Sequence, residues 1–217
     1  MTATSNLQEL QAIARVLHNL LLDYPSESSL QQLVDDQIAQ QWPVLTDSPL
    51  NKQGKAALAL FATKWDSSQI NQMKLDYGQL FFGPGEPKAM LWGSVYMGEQ
   101  QIINDTSTVE LMRFYQQFGI SFELKYKQPV DHLALFYAVI DQLLEQMMAD
   151  PKNNVAKEAL IILLQQHMLP WAGRCLDLAI EHAETDLYKG VALLAKDFQS
   201  SLATTLNVVP MPMRLFR

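Results

Sequence analysis

Residues Tyr77–Glu99 read YGQLFFGPGEPKAMLWGSVYMGE. They crowd Tyr77, Phe81, Phe82, Trp92 and Tyr96 around Gly83-Pro84-Gly85 and Pro87, in a chain whose other residues follow helical spacing. Prolines and glycines at that density forbid a continuous helix from Gly83 to Met97, and large apolar side chains stranded in water are costly. The segment is either a loop anchored on a core or a recognition surface. The spacing of four between Trp92 and Tyr96 fits both.

On either side of this break the pattern is helical. Leu7, Leu10, Ile13, Ala14, Leu17, Leu20 and Leu21 recur at three and four, Pro25 ends that run, and Ser26, Ser28 and Ser29 offer a cap for the next. Further helices are expected over 28–41, 49–63, 67–81, 106–119, 130–149, 153–166, 168–184 and 187–205. No alternating pattern of strand length competes with them. The expectation is an all-α protein, one globular helical domain over 1–217 of about nine to ten helices. A second break, an extended link at 120–130 with Gly119 placed to stop the helix before it, divides that domain into halves 1–119 and 131–217. Such a link would let two copies exchange halves, because a swap reuses the contacts of the monomer.

Composition narrows the function. Of 217 residues, 48% are hydrophobic, enough for a sizeable core. The net charge of -7, from 23 acidic residues against 16 Lys plus Arg, argues against nucleic acid and favours a cationic partner. A single cysteine, Cys175, excludes an internal disulfide and a multi-thiolate zinc site, and suits a reducing compartment. The first residues lack the basic, apolar and small-residue regions of an export signal, and no apolar run approaches the length of a membrane span. A cytoplasmic protein is expected.

Catalytic chemistry is hard to assemble. Asp131 and His132 are neighbours in sequence and cannot face each other as a relay, while His18, His132, His167 and His182 fall on separate elements without metal-ligand spacing. Gly83-Pro84-Gly85 lacks the lysine and following helix of a phosphate cradle. No catalytic residue, metal or cofactor is expected. By itself Asp131 is explained as a first-turn acid after Pro129, interacting with the positive end of a helix.

Taken together, these residues resemble a known family. Tyr77, Leu80, Phe81, Gly83 and Pro84, then Trp92, Ser94, Val95, Tyr96 and Glu99, then Pro129, Asp131 and His132 match in order and spacing the redox-enzyme maturation chaperones that include TorD, DmsD and NarJ. His167, Pro170 and Trp171 extend the likeness. The link Gly119-Ile120-Ser121-Phe122-Glu123 and the ending Leu215-Phe216-Arg217 look closest to the DmsD branch. The combination G-P-x(7)-W-x-S-V-Y with a later P-x-D-H carries the resemblance. Two positions depart from it: Leu91 stands where relatives often have proline, and Gly85 where DmsD-like members can have an aromatic residue.

The resemblance implies a chaperone that binds the twin-arginine leader, and often the body, of the apo-form of a molybdopterin-dependent reductase of the DMSO or TMAO type. It would assist cofactor insertion and prevent premature export, with transient contact with the membrane export machinery and a domain-swapped homodimer both compatible. Leu80, Phe81, Trp92, Ser94 and Tyr96 would line or support the apolar part of the leader site, Asp131 and Glu99 would meet its arginines, and His132 would complete the polar edge. Gly83, Pro84 and Pro129 would shape the loops. Protonation of His132 near the ordinary value of ~6.5 would then alter leader affinity. Guanine nucleotide or molybdopterin binding receives no residues here. The competing readings are a helical adaptor without leader recognition, presenting a flat apolar face, and a small enzyme pairing His132 with an acid or base from a distant element.

Overall fold

The computed structural model describes residues 3–124, 126–152 and 154–217, with side chains from Asn6 onward. Lys125, inside the expected link, and Asn153, at the expected start of the helix over 153–166, lie outside the described residues. Among the described residues the secondary structure is helical throughout, apart from one isolated antiparallel bridge between Trp92 and His132. The expected all-α class holds.

The helices are α1 (Ala3–Leu22), α2 (Glu27–Asp35), α3 (Ile38–Gln41), α4 (Pro49–Lys64), α5 (Ile70–Tyr77), α6 (Ser94–Met97), α7 (Thr106–Gln117), α8 (Leu133–Ala149), α9 (Asn154–Ile162), α10 (Leu169–His182) and α11 (Asp186–Leu206). Contacts group them into two units: Met1–His18 with Leu91–Ala172 and Ala203–Arg217, and Asn19–Met90 with Gly173–Leu202. They are called here the first and second unit.

In the first unit α8 is the apolar centre. Leu133 to Tyr137, Val139, Ile140, Leu143 and Leu144 are all buried, so nearly the whole circumference of the helix is covered. Each fully buried Leu or Phe there contributes about 1.5–3 kcal/mol relative to exposure. Leu10, Ile13, Ala14 and Leu17 bury the matching stripe of α1, and Arg15 forks onto the Asp141 carboxylate at 2.9 and 3.0 Å. Helix α7 stops where the sequence places the stop: Gly119 adopts φ 67, and the Ile120 N–H reaches back to Tyr115 O at 2.8 Å.

In the second unit Ser26 caps α2 through a reciprocal pair with Ser29, at 3.1 and 3.0 Å, and Ser48 caps α4 with Pro49 in the first turn. Helices α4 and α11 touch backbone to backbone. A Cβ on Gly54 would lie 2.5 Å from Leu194 Cγ, and one on Gly190 would lie 3.0 Å from the Leu58 side chain. Beside this contact Asn51 Nδ2 donates to the buried Asp197 carboxylate at 3.0 Å.

Four expected boundaries are corrected. The helix over 28–41 is broken at Gln37, which takes the left-handed conformation at φ 51 after a turn closed by Gln37 N–H to Val34 O. The helix over 67–81 is three pieces: a 3-10 turn at Ser67–Gln69, α5, and a π-helical turn at Gly78–Phe82. The helix over 153–166 gives way after Ile162 to a π-helical segment at Leu163–Met168. The loop expected from Gly83 to Met97 ends in the single turn α6.

Candidate functional site

The stretch 91–97 is pinned to the start of α8. Gly93 N–H donates to Asp131 O at 3.0 Å and Leu133 N–H to Leu91 O at 2.7 Å, which aligns Trp92 opposite His132 in the isolated bridge. Their rings meet edge to face with centroids 4.9 Å apart. Ser94 is held twice: its N–H donates to Asp131 Oδ2 at 2.8 Å, and its Oγ accepts from the Asn104 N–H at 3.1 Å.

Asp131 is thus not an open first-turn acid. It is 1% exposed, one oxygen is engaged by Ser94, and the other, Oδ1, is buried with no hydrogen-bond partner among the described residues. The helix start belongs to His132, whose Nδ1 accepts the Ala134 N–H at 3.2 Å and so carries no proton. Burial lowers the pKa of His132 to about 3, with His18 opposing protonation as a lesser cause. The expectation of a titration near 6.5 at this residue is overturned, because water cannot reach the ring to stabilise its charge. The group acting on it from a distant element is the base His18, but a ring that burial holds neutral down to about pH 3 makes a poor general base near neutrality. The Tyr115 hydroxyl is pushed well up, first by burial and then by Asp131.

Tyr96 stacks on Trp171 at 5.5 Å and 23°, and both are 0% exposed. Trp171 is fixed in turn by its Nε1–H, which donates to His167 O at 2.7 Å, and by an edge contact with Phe136. Gly93 makes this stack feasible: a Cβ there would sit 2.7 Å from Trp171 Cε2 and Nε1. Glu99 is exposed and Pro129 half-buried in the same unit.

Leu80, Phe81, Gly83 and Pro84 belong to the second unit. Leu80 and Phe81 are buried, and Phe81 packs edge-on against Tyr77 at 5.2 Å and Tyr188 at 5.8 Å. The Tyr77 hydroxyl donates to Leu21 O at 2.9 Å, and burial followed by Asp23 raises its pKa. Gly83 needs its φ of 121, since its N–H closes the π turn onto Gly78 O while its own carbonyl accepts from the Tyr24 hydroxyl at 3.2 Å. The Gly83-Pro84 peptide is cis. Phe82 is 63% exposed beside Tyr24. The structure therefore gathers Trp92, Ser94, Tyr96, Asp131 and His132 into one buried assembly, and places Leu80 and Phe81 in an aromatic cluster of the other unit.

Three elements of these sites escaped the sequence reading. Gly93 is the unspecified position in W-x-S-V-Y, and only its closeness to Trp171 shows why it is glycine. Asp76 is 1% exposed and accepts the N–H groups of Glu184 and Thr185 at 3.1 and 2.8 Å, fixing the start of α11. Its signal was the Thr185-Asp186 pair that opens the helix. The third is the segment after α11, which packs on the first unit without regular secondary structure, with Phe216 N–H donating to Tyr96 O at 2.9 Å. Among the described residues no three His, Cys, Asp or Glu side chains could hold a metal ion, and no helix is long and apolar enough to cross a membrane.

Comparison with known proteins finds relatives over most of the chain. The family model described as nitrate reductase delta subunit matches residues 47–177. The chain is 26% identical over 219 residues to the Tat proofreading chaperone DmsD of Salmonella typhimurium, covering 97% of this chain and 99% of that protein. It is 28% identical to the chaperone protein TorD of Actinobacillus succinogenes, over 71% of this chain and 76% of that protein. It is 24% identical to the chaperone protein YcdY of Escherichia coli, over 90% and 95% respectively. With more than half its length matched by the family model, the chain belongs to the nitrate reductase delta subunit family, that of the TorD, DmsD and NarJ redox-enzyme maturation chaperones.

Proposed function

We propose that this chaperone works in the cytoplasm on the twin-arginine leader of a molybdopterin-dependent reductase of the DMSO or TMAO type, holding the apo-enzyme for cofactor insertion and delaying its export. The observation that carries the reading is Asp131: a buried carboxylate with one oxygen tied to Ser94 and the other lacking a donor. A buried acceptor left unmade costs ~1–3 kcal/mol, and a guanidinium reaching it would relieve that cost with a charge-assisted bond. Trp92, Tyr96 and His132 then act as the rigid frame behind the site. The leader reaches Asp131 when the stretch 92–99 moves, and Glu99 meets it at the surface. The name Tat proofreading chaperone carried by the DmsD relatives supports the same reading. So does the net charge of -7, which suits a cationic partner.

The deciding experiment is affinity capture from cells growing anaerobically, followed by mass spectrometry. Recovery of a molybdoenzyme subunit, lost when its leader is deleted, is the expected result. Capture only of partners without such leaders would overturn the proposal.

A further inference from the structure

The residues after α11 lie on the first unit in a way that helix chemistry explains. Tyr96 stands at the C-terminal end of α6, where the last carbonyls of a helix have no partner within it, and its oxygen accepts the Phe216 N–H at 2.9 Å. Gln165 lies in the π-helical segment Leu163–Met168, where the Leu169 N–H bonds to Leu164 O. The next donor in that register would be residue 170, a proline without an N–H. Gln165 O is left over and accepts the Met211 N–H at 2.9 Å.

Each of these two carbonyls has a glutamine amide for company. Gln165 Nε2 donates to Val209 O at 3.0 Å, and Gln101 Nε2 donates to Phe216 O at 2.7 Å. Both ends of the track therefore grip main chain: a carbonyl takes an N–H of the tail and an amide holds a C=O. Such a track reads an extended backbone rather than one set of side chains. The tail suits it. Pro210 and Pro212 bias it toward an extended backbone, Val209, Met211 and Met213 remain exposed, and Arg214 lies over the Phe216 ring at 4.8 Å.

The tail's composition supplies the link to a partner. Between Val208 and Arg217 the charged residues are Arg214 and Arg217, and they flank Leu215 and Phe216, in a chain whose net charge is -7. The track ends at Tyr96 and Gln101, with Glu99 between them in sequence. We propose that residues 208–217 occupy, in the same chain, a main-chain track that also takes the extended, arginine-bearing part of a client leader, so that the tail must leave before the client enters. This rests on the leader reading and adds to it a built-in competitor.

Replacing Met211 and Phe216 together by proline removes both tail N–H donors while leaving Tyr96, Gln101 and Gln165 untouched. Full-length wild type and this double variant, matched for helicity by circular dichroism, would be titrated with a fluorescent peptide of two adjacent arginines followed by a leucine–alanine stretch. The variant is expected to bind at least about five-fold more tightly, the factor by which tail occupancy depresses apparent affinity. Equal affinity in the two chains would overturn the inference while leaving leader binding in place. If the peptide binds neither chain, leader binding fails and the track is judged by a labelled peptide of residues 208–217 added to the double variant. Saturable binding that weakens with Gln101→Ala and Gln165→Ala supports the track, and its absence, or indifference to those substitutions, overturns it.

Discussion

Asp131 Oδ2 accepts the Ser94 N–H at 2.8 Å, and with the flanking bridge this bond joins the aromatic stretch 91–97 to the residues that lead into α8. Two segments nearly forty positions apart in sequence thereby become one buried assembly. The bond has a structural consequence and, on the proposed leader reading, a recognition consequence, and substitutions at Asp131 separate them.

Asp131→Ala is expected to lower stability by ~1–3 kcal/mol, since it strands the buried Ser94 N–H, and to weaken a leader peptide by a similar amount. Asp131→Asn keeps an acceptor for Ser94 and removes the charge. Urea unfolding should find the asparagine variant close to wild type, while calorimetry with an arginine-bearing leader peptide should find it as weak as the alanine variant. Unchanged affinity in a folded Asp131→Asn chain would remove the carboxylate from the cation contact.

Gly93→Ala tests the frame behind it. The added methyl would lie 2.7 Å from the Trp171 ring, which is 0% exposed, stacked on Tyr96 and bonded to His167 O, so the ring cannot withdraw freely. Overpacking of this kind costs typically ~1–3 kcal/mol. Thermal melting should show the loss, and near-ultraviolet circular dichroism should report a changed tryptophan environment.

Much of the fold was legible because long helices repeat their burial every three to four residues. The stripe on α1, the Ser26 cap and the Gly119 stop all involve residues close in sequence. The corrections fall where distant chain decides. The π turns at Gly78–Phe82 and Leu163–Met168 keep helical spacing nearly intact, so their extra residue leaves no clear pattern. Helix α6, four residues long, is too short for any periodicity and is set by Asp131 and Trp171. That Trp92 and Ser94 belong with Asp131 and His132 was legible from their unusual order, and the structure brings the four together. Their burial was not, since a polar residue's partners cannot be read from its own position.

Close approach of α4 and α11 gives a prediction for the second unit. Gly190→Ala places a methyl 3.0 Å from Leu58 and 3.1 Å from Gly54 O, and backbone cannot give way as a flexible side chain can. Urea unfolding should register a loss of ~1–3 kcal/mol. The tail peptide of residues 208–217 should bind as before, because its track lies wholly within the first unit.

Acid should unfold this protein by way of two histidines. Burial lowers His132 to about 3 and His167 to about 4, below the ~6.5 of an unfolded chain. Between those values the unfolded state binds protons that the folded state refuses, so stability is fully present above pH ~6.5 and falls as the pH drops toward 4 and then 3. Each histidine contributes a slope approaching 1.4 kcal/mol per pH unit in that window. His132→Gln is expected to flatten the dependence of the urea midpoint between pH 6 and 4 while lowering stability at pH 7 through the weakened cap on Ala134. By the same reasoning leader affinity should stay level between pH 8 and 6 as far as His132 is concerned, since the ring remains neutral throughout. A step in affinity near pH 6.5 that His132→Gln abolishes would show the ring exposed in the binding-competent state, and would place it on the leader's path instead of behind it.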